Sequence, residues 1–302
     1  MSSKNSQGSF CSELSLDIKE QMFGTVPRVD VWFLIEYNQT WAKKAFLASA
    51  IPEMVKKRIS EHLNSIPNSR LQLIKRQKGN EQGLKFYIGV SDELEPRLFE
   101  LNLKSYEDIL DLSIPEIISG SSFSRGQPIF LVCTHGTHDQ CCGRFGVPVY
   151  IEATRLENGY LTWQCTHLGG HRFAANLLCL PHGIYYGRVR ASNVSTIIKD
   201  YQNQCISLDM YRGRSCYNSD VQAAEYFLRI NTGIRIIRYF RFIRMQNIDR
   251  ENSIFEFISL ADEKKHILTI HRSQFALENY TSCQDDAKST IAQYKLIEHK
   301  ML

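Results

Sequence analysis

Short apolar runs and one helical stripe mark out the first part of the chain. Residues 31–37 (VWFLIEY) are apolar, β-branched and aromatic, which predicts a buried strand. Residues 45–63 carry Phe46, Ile51, Met54, Val55, Ile59 and Leu63 near helical spacing and predict a helix. Residues 70–75 (RLQLIK) alternate like a strand. Two more strands are expected at 85–90 and 97–103, on either side of the acidic turn 91–96. Residues 106–118 read as a helix with a break at Pro115. The small-residue stretch 120–128 (GSSFSRGQP) reads as a linker between two halves.

The second half repeats this order of elements. It opens on a strand at 129–133 (IFLVC), continues through a polar loop at 134–143, and then predicts a helix to about residue 156. A strand follows at 161–166 (LTWQCT). Residues 176–180, the turn Pro181-His182-Gly183 and residues 184–189 read as a hairpin, and 194–201 as a helix with Ser192 or Asn193 available as N-cap. A β-α-β unit closed by a β-β-α unit is the order of a thioredoxin-like domain. Beyond it, 221–228 predicts a short helix, 254–260 and 266–271 predict strands joined by 261–265, and the tail carries little pattern. The expected architecture is α/β: an N-terminal α/β domain (1–125), a thioredoxin-like domain (126–220) and a small C-terminal α+β extension (221–302). Residues 1–10 read as a loose terminus.

Composition narrows the function classes. The chain has 302 residues, 43% hydrophobic and 23% charged, as in globular proteins, so pervasive disorder is excluded. No apolar stretch is long enough to span a bilayer, and the polar start MSSKNSQGSF lacks the apolar region of a secretory signal. A cytoplasmic location is therefore expected. A net charge of +4 gives no argument for nucleic acid. The nine cysteines are odd in number, which speaks against a disulfide framework and for metal or redox chemistry.

Two segments carry that chemistry. In the first, CTHGTHDQCC (133–142), Cys133 and Cys142 stand nine apart, so the loop can fold back and present both thiolates to one centre. In the second, HLGGHRFAAN (167–176), His167 and His171 flank two glycines that permit a tight turn. Cys133 ends one strand and His167 follows another. If those strands are parallel neighbours, both segments lie on the sheet edge where α/β proteins place function. Two thiolates and two imidazoles suit zinc, and equally a [2Fe-2S] cluster with the cysteines on one iron and the histidines on the other. Cys141 competes with Cys142 for the same role.

Both segments resemble the sucrase/ferredoxin-like family, whose thioredoxin-like domain is similar to thioredoxin-like [2Fe-2S] ferredoxins. The run from Asn176 through Pro181-His182-Gly183 to Tyr186 matches the strand–turn–strand that follows the second ligand pair there. Weaker likeness reaches the N-terminal half (WFLIEY, RLQLIKR), Arg212-Gly213-Arg214 and Gln222 to Tyr226, covering about residues 9–233. The resemblance implies Cys133, Cys142, His167 and His171 as ligands, and its spacing favours Cys142 over Cys141. Imidazole ligands remove negative charge, which raises the potential, and their free nitrogens couple proton uptake to reduction. It implies an electron carrier serving redox partner proteins, with no catalytic residues of its own.

The remaining residues carry weaker signals. His135 and His138 read as groups around the centre, able to donate toward a sulfur. Arg172 either caps a loop or places positive charge nearby. Cys165 and Cys179 alternate with apolar residues and read as core, while Cys11, Cys205, Cys216 and Cys283 show no partner pattern. Arg235, Arg238, Arg241 and Arg244 recur every third residue, as snorkelling side chains or as a docking face for an acidic partner. Two rival functions use the same segments: a structural zinc domain, and a thiol redox enzyme, which lacks the expected C-x-x-C. Glycoside hydrolysis normally needs paired carboxylates, and the motif region offers only Asp139.

Overall fold

In the computed structural model, which describes residues 10–76, 83–120 and 126–302, each half builds a four-stranded unit of the same design. The N-terminal unit contains β1 (Val31–Glu36), α2 (Glu53–Ser65), β2 (Ser69–Lys75), β3 (Leu84–Val90), β4 (Arg97–Leu103) and α3 (Ile114–Ser119), preceded by a short helix α1 (Cys11–Asp17). The second contains β5 (Ile129–Cys133), α4 (Gln140–Thr154), β6 (Thr162–Cys165), β7 (Leu177–Leu180), β8 (Ile184–Tyr186) and α5 (Val194–Gln202). In each, the first two strands pair in parallel and the third pairs antiparallel to the first. The fourth strand is antiparallel to the third. The expected loose terminus, apart from Phe10, and residues 121–125 of the linker lie outside the described residues.

The two units are not separate sheets. Their edge strands β2 and β6 pair antiparallel through Ile74↔Cys165 and Lys75↔Gln164. With β9 (Tyr211–Arg214) they form one mixed sheet in the order β4-β3-β1-β2-β6-β5-β7-β8-β9. The sheet curls, and one face closes on a shared core. Trp32, Leu34, Tyr87 and Leu98 of the first unit meet Leu131, Trp163, Leu178 and Tyr185 of the second. Helices cover the outer faces: Val55 and Ile59 of α2 over Phe33 and Phe86, and Val149, Ala153, Ile197 and Tyr201 of α4 and α5 over Phe130 and Val132. The wholly apolar runs 31–35 and 129–133 follow from this, because their strands are buried on both faces.

The helix expected at 45–63 begins only at Glu53, with turns before it. Pro52 is the reason: it disfavours helix at the residue before it and supplies no backbone donor to a turn behind. Pro115 likewise opens α3 instead of breaking a longer helix, and a 3-10 turn at Glu107–Asp111 fills the earlier part. The helix expected after residue 143 starts at Gln140, because the Asp139 carboxylate caps it by accepting from the Cys141 N–H at 2.9 Å.

The C-terminal region is more ordered than its pattern foretold. Helix α6 (Ser219–Thr232) is longer than the 221–228 expected, capped by Asn218 at its start and by Gly233 in the left-handed region at its end. It packs against β9 and against a second sheet of β10 (Phe240–Asn247), β11 (Asn252–Ser259), β12 (Lys265–Asn279) and β13 (Ser289–Met301), antiparallel in chain order. The arginine stripe falls partly on β10, the sheet's edge, where Arg244 pairs with Glu256 at 2.5 Å and Arg241 is exposed. Arg235, before the strand, is paired with Asp200. Charged side chains on an edge strand discourage pairing with another chain.

The Pro181-His182-Gly183 turn carries a prediction. His182 is buried, and its Nδ1 lies 2.6 Å from the Tyr201 hydroxyl. Burial first, then Arg214 and Arg238, push its pKa down to about 3. The unfolded chain takes up this proton near pH ~6.5, so stability falls below that pH and levels off near the folded value. At pH 5 the loss attributable to His182 is about 2 kcal/mol. Denaturant melts of wild type and His182→Asn at pH 7 and pH 5 check it; equal acid losses in both would contradict the assignment.

Candidate metal centre

Strands β5 and β6 are parallel neighbours, with Cys133 opposite Cys165 in register. The condition set by the sequence is therefore met: Cys133 and the His167 loop emerge at one sheet edge. Helix α4 then turns back over that edge and brings Cys142 to it. The approach is close enough that a Cβ on Gly146 would overlap the Cys133 carbonyl oxygen.

The ligand atoms of Cys133, Cys142 and His167 lie within 4.8 Å of one another. Cys142 Sγ is 3.6 Å from His167 Nδ1. His167, His171 and His138 form an adjoining group of the same compactness. The rings of His167 and His171 are 5.0 Å apart, and His138 stacks on His167 at 4.1 Å. His171 thus joins through His167 and not through the cysteines. The cysteines are buried, whereas His167 and His171 are half-buried.

Electrostatics favour the ligand-competent forms of Cys133 and His171. The hydrogen bond with Cys142 first, and then His167, hold the Cys133 thiol well below its ordinary value against the opposing effect of burial. Cys142, the other member of the pair, is pushed up. Burial pushes His171 down and keeps it neutral, and its Nδ1 is a buried nitrogen with no hydrogen-bond partner. An unpartnered buried nitrogen in the histidine group that adjoins the thiols fits a metal or cluster.

The side chains that shape the site come mostly from outside the two motifs. The His167 carbonyl accepts from Arg70 at 2.8 Å and Gln72 at 3.2 Å, both on β2. Gly170 stands at φ 70, and its carbonyl accepts from Asn176 at 2.9 Å. A side chain at Gly170 would meet the Arg212 guanidinium beneath the loop. Arg212 is fully buried and donates to the Gly169 carbonyl at 3.1 Å and to Asn176 Oδ1 at 2.7 Å. Sequence reasoning gave the glycines their turn but gave Arg70, Gln72, Asn176 and Arg212 no role at the site, although the family likeness ran through all four.

His135 takes a different part from the one expected. Its Nε2 lies 2.9 Å from the Ala42 carbonyl and its Nδ1 accepts from the His167 N–H at 3.3 Å. Both ring nitrogens are engaged, so the imidazole positions the His167 backbone, and it is the His135 backbone N–H that donates toward the Cys133 sulfur. Arg172 pairs with Glu20 at 2.6 Å. Cys141, one residue from Cys142, faces away from this centre toward Cys11 and Cys283. Those two cysteines therefore do have partners, which no local spacing reveals. Cys165 and Cys179 are core residues, as expected.

A family model described as sucrase/ferredoxin-like matches residues 22–213. The chain belongs to the sucrase/ferredoxin-like family. This family member also resembles Altered inheritance of mitochondria protein 32 of Meyerozyma guilliermondii, at 32% identity over an alignment of 95 residues that covers 28% of this chain. The match spans about a third (34%) of that relative's length. No solved structure matches the chain at a significant level. No helix among the described residues is long and apolar enough to cross a membrane.

Proposed function

We propose that this protein is a one-electron carrier holding a [2Fe-2S] cluster on Cys133, Cys142, His167 and His171, in a second half of thioredoxin-like design. The observation that carries this reading is the polarity of the site: a buried cysteine pair on the inner side and a half-exposed histidine pair on the outer side. The strand order β6-β5-β7-β8 with its flanking helices supports the thioredoxin-like description. Bound there, such a cluster supplies one-electron chemistry at a potential raised by neutral imidazole ligands.

The chain's own groups do the rest. The shared core behind Cys133 keeps water from the inner side. Arg70, Gln72, Arg212 and Asn176 hold the 167–171 loop, so the imidazoles need little rearrangement. His171 Nε2 lies 3.8 Å from Asp139, which favours a proton at that nitrogen. A redox partner docks at this histidine edge, where electron exchange needs the shortest approach.

Anaerobically purified protein is expected to contain iron and to absorb visible light that bleaches with dithionite. Replacing His167 or His171 by Cys is expected to keep the cluster, lower its potential and flatten its pH dependence, because a thiolate adds charge and removes a titrating nitrogen. An unchanged potential in both variants would overturn the ligand assignment. A second reading has its own observation: Cys133, Cys142 and His167 lie close enough together for one tetrahedral zinc ion. A colourless protein that carries zinc at these residues, even after reconstitution with iron and sulfide, selects it.

A further inference from the structure

Three cysteines outside the proposed cluster meet at one point. Cys11 opens α1, Cys141 lies in the first turn of α4, and Cys283 lies in the connection between β12 and β13. Their sulfurs form a nearly equilateral triangle: Cys11–Cys141 3.5 Å, Cys141–Cys283 3.2 Å and Cys283–Cys11 3.5 Å. A carboxylate oxygen of Asp139 joins them, all four donor atoms lying within 4.8 Å of one another. Cys11 and Cys141 are buried, and the Asp139 side chain is fully so.

We propose that Cys11, Cys141, Cys283 and Asp139 form a second metal site, for zinc, distinct from the Cys133–His171 centre. Three sulfurs and one carboxylate oxygen are a tetrahedral zinc donor set. At a Zn–S distance of ~2.3 Å, tetrahedral geometry sets the sulfurs ~3.8 Å apart, so the edges of the triangle lengthen by ~0.3–0.6 Å to admit the ion. A disulfide is the poorer solution. It needs sulfurs at ~2.05 Å, joins only two of the three, and strands the third in a buried site.

The surroundings suit thiolates. Ser12 donates its hydroxyl to Cys141 Sγ at 3.3 Å, and the Cys11 N–H points to Cys283 Sγ at 3.5 Å. Asp139 is oriented by the N–H groups of Cys141 and Cys283, at 2.9 and 3.0 Å, and by the Ser282 hydroxyl at 3.1 Å. Phe10 meets Phe145 edge-on at 5.8 Å, and both rings pack against Cys11 and Cys141. Zinc entry displaces the thiol protons to solvent and needs no oxidant. The ion would pin α1 and the β12–β13 connection to the start of α4, one residue before Cys142.

The test uses full-length protein purified anaerobically, equilibrated with zinc(II), freed of loose metal and assayed for zinc and iron. Wild type is expected to retain about one zinc per chain in this site. Cys283→Ser and Cys11→Ser should weaken zinc binding at least tenfold and keep their iron, while Cys133→Ser should lose iron and keep this zinc. Equal zinc retention in wild type and Cys283→Ser would overturn the site. So would zinc loss confined to Cys133→Ser, or a Cys141–Cys283 disulfide in place of bound zinc. If the variants fail to fold, alkylation of wild type decides: zinc should protect Cys11, Cys141 and Cys283, a chelator should expose them, and absence of protection overturns the proposal.

Discussion

Replacing Cys142 by Ser is expected to abolish the iron centre, while replacing its neighbour Cys141 leaves iron and visible absorption intact. Successive residues on a helix point about 100° apart. At the start of α4 this rotation aims Cys142 at Cys133 and His167, and Cys141 at Cys11 and Cys283. Loss of a direct ligand should exceed the ~10–100-fold penalty that a supporting residue carries, so iron in Cys142→Ser should fall below about a tenth of wild type. Iron analysis and visible spectra of the two variants, prepared side by side, check this. Loss of iron in Cys141→Ser with retention in Cys142→Ser would reverse the assignment. The residues alone leave the two cysteines as neighbours with the family spacing favouring Cys142, and the helix phase turns them toward different groups.

Replacing Glu225 by Ala is expected to cost about 3–5 kcal/mol of stability, because it leaves buried positive charge without its partner. Glu225 of α6 accepts from Arg229 at 2.9 Å and from the Tyr211 hydroxyl at 2.5 Å, and lies 3.6 Å from Arg214. Both arginines are fully buried. Burial alone pushes the Glu225 carboxyl up, but Arg229 and Arg214 outweigh it and hold it below the usual carboxylate range. Its contribution is therefore present above pH ~4.3 and fades as pH falls below that. Removing the carboxylate strands two guanidinium groups between the curled sheet and the C-terminal sheet. The shift of the denaturation midpoint at pH 7 measures the loss. A change below about 1 kcal/mol would mean that water reaches the arginines.

Much of the two halves was legible because their signals are local. The runs 31–35 and 129–133 are buried on both faces, so their apolar character is unbroken. The Pro181-His182-Gly183 turn joins strands next to each other in the chain, β7 and β8, and so shows in the sequence. The C-terminal strands were harder to read. β13 alternates only weakly, because much of it is exposed and only Ile291 and Tyr294 are buried. β10 has the three-residue arginine rhythm of a helix and is a strand, because its partner β11 supplies the pairing that local pattern cannot.

The order of residues was enough to single out the candidate donors: two cysteines and two histidines, each pair beginning where a strand ends, in an α/β frame. Such features depend on residues close in the chain, whose spacing and turn chemistry are written locally. Everything that joins distant segments came from the folded arrangement. It fused the halves through β2 and β6, set Arg70, Gln72 and Arg212 beneath the histidine loop, and turned Cys142 and Cys141 to different sites. It also brought Cys11, Cys141 and Cys283 together, the first and last of them 272 residues apart. No local period encodes such a meeting, because it follows from how the sheet curls and where its flanking helix and loop come to rest.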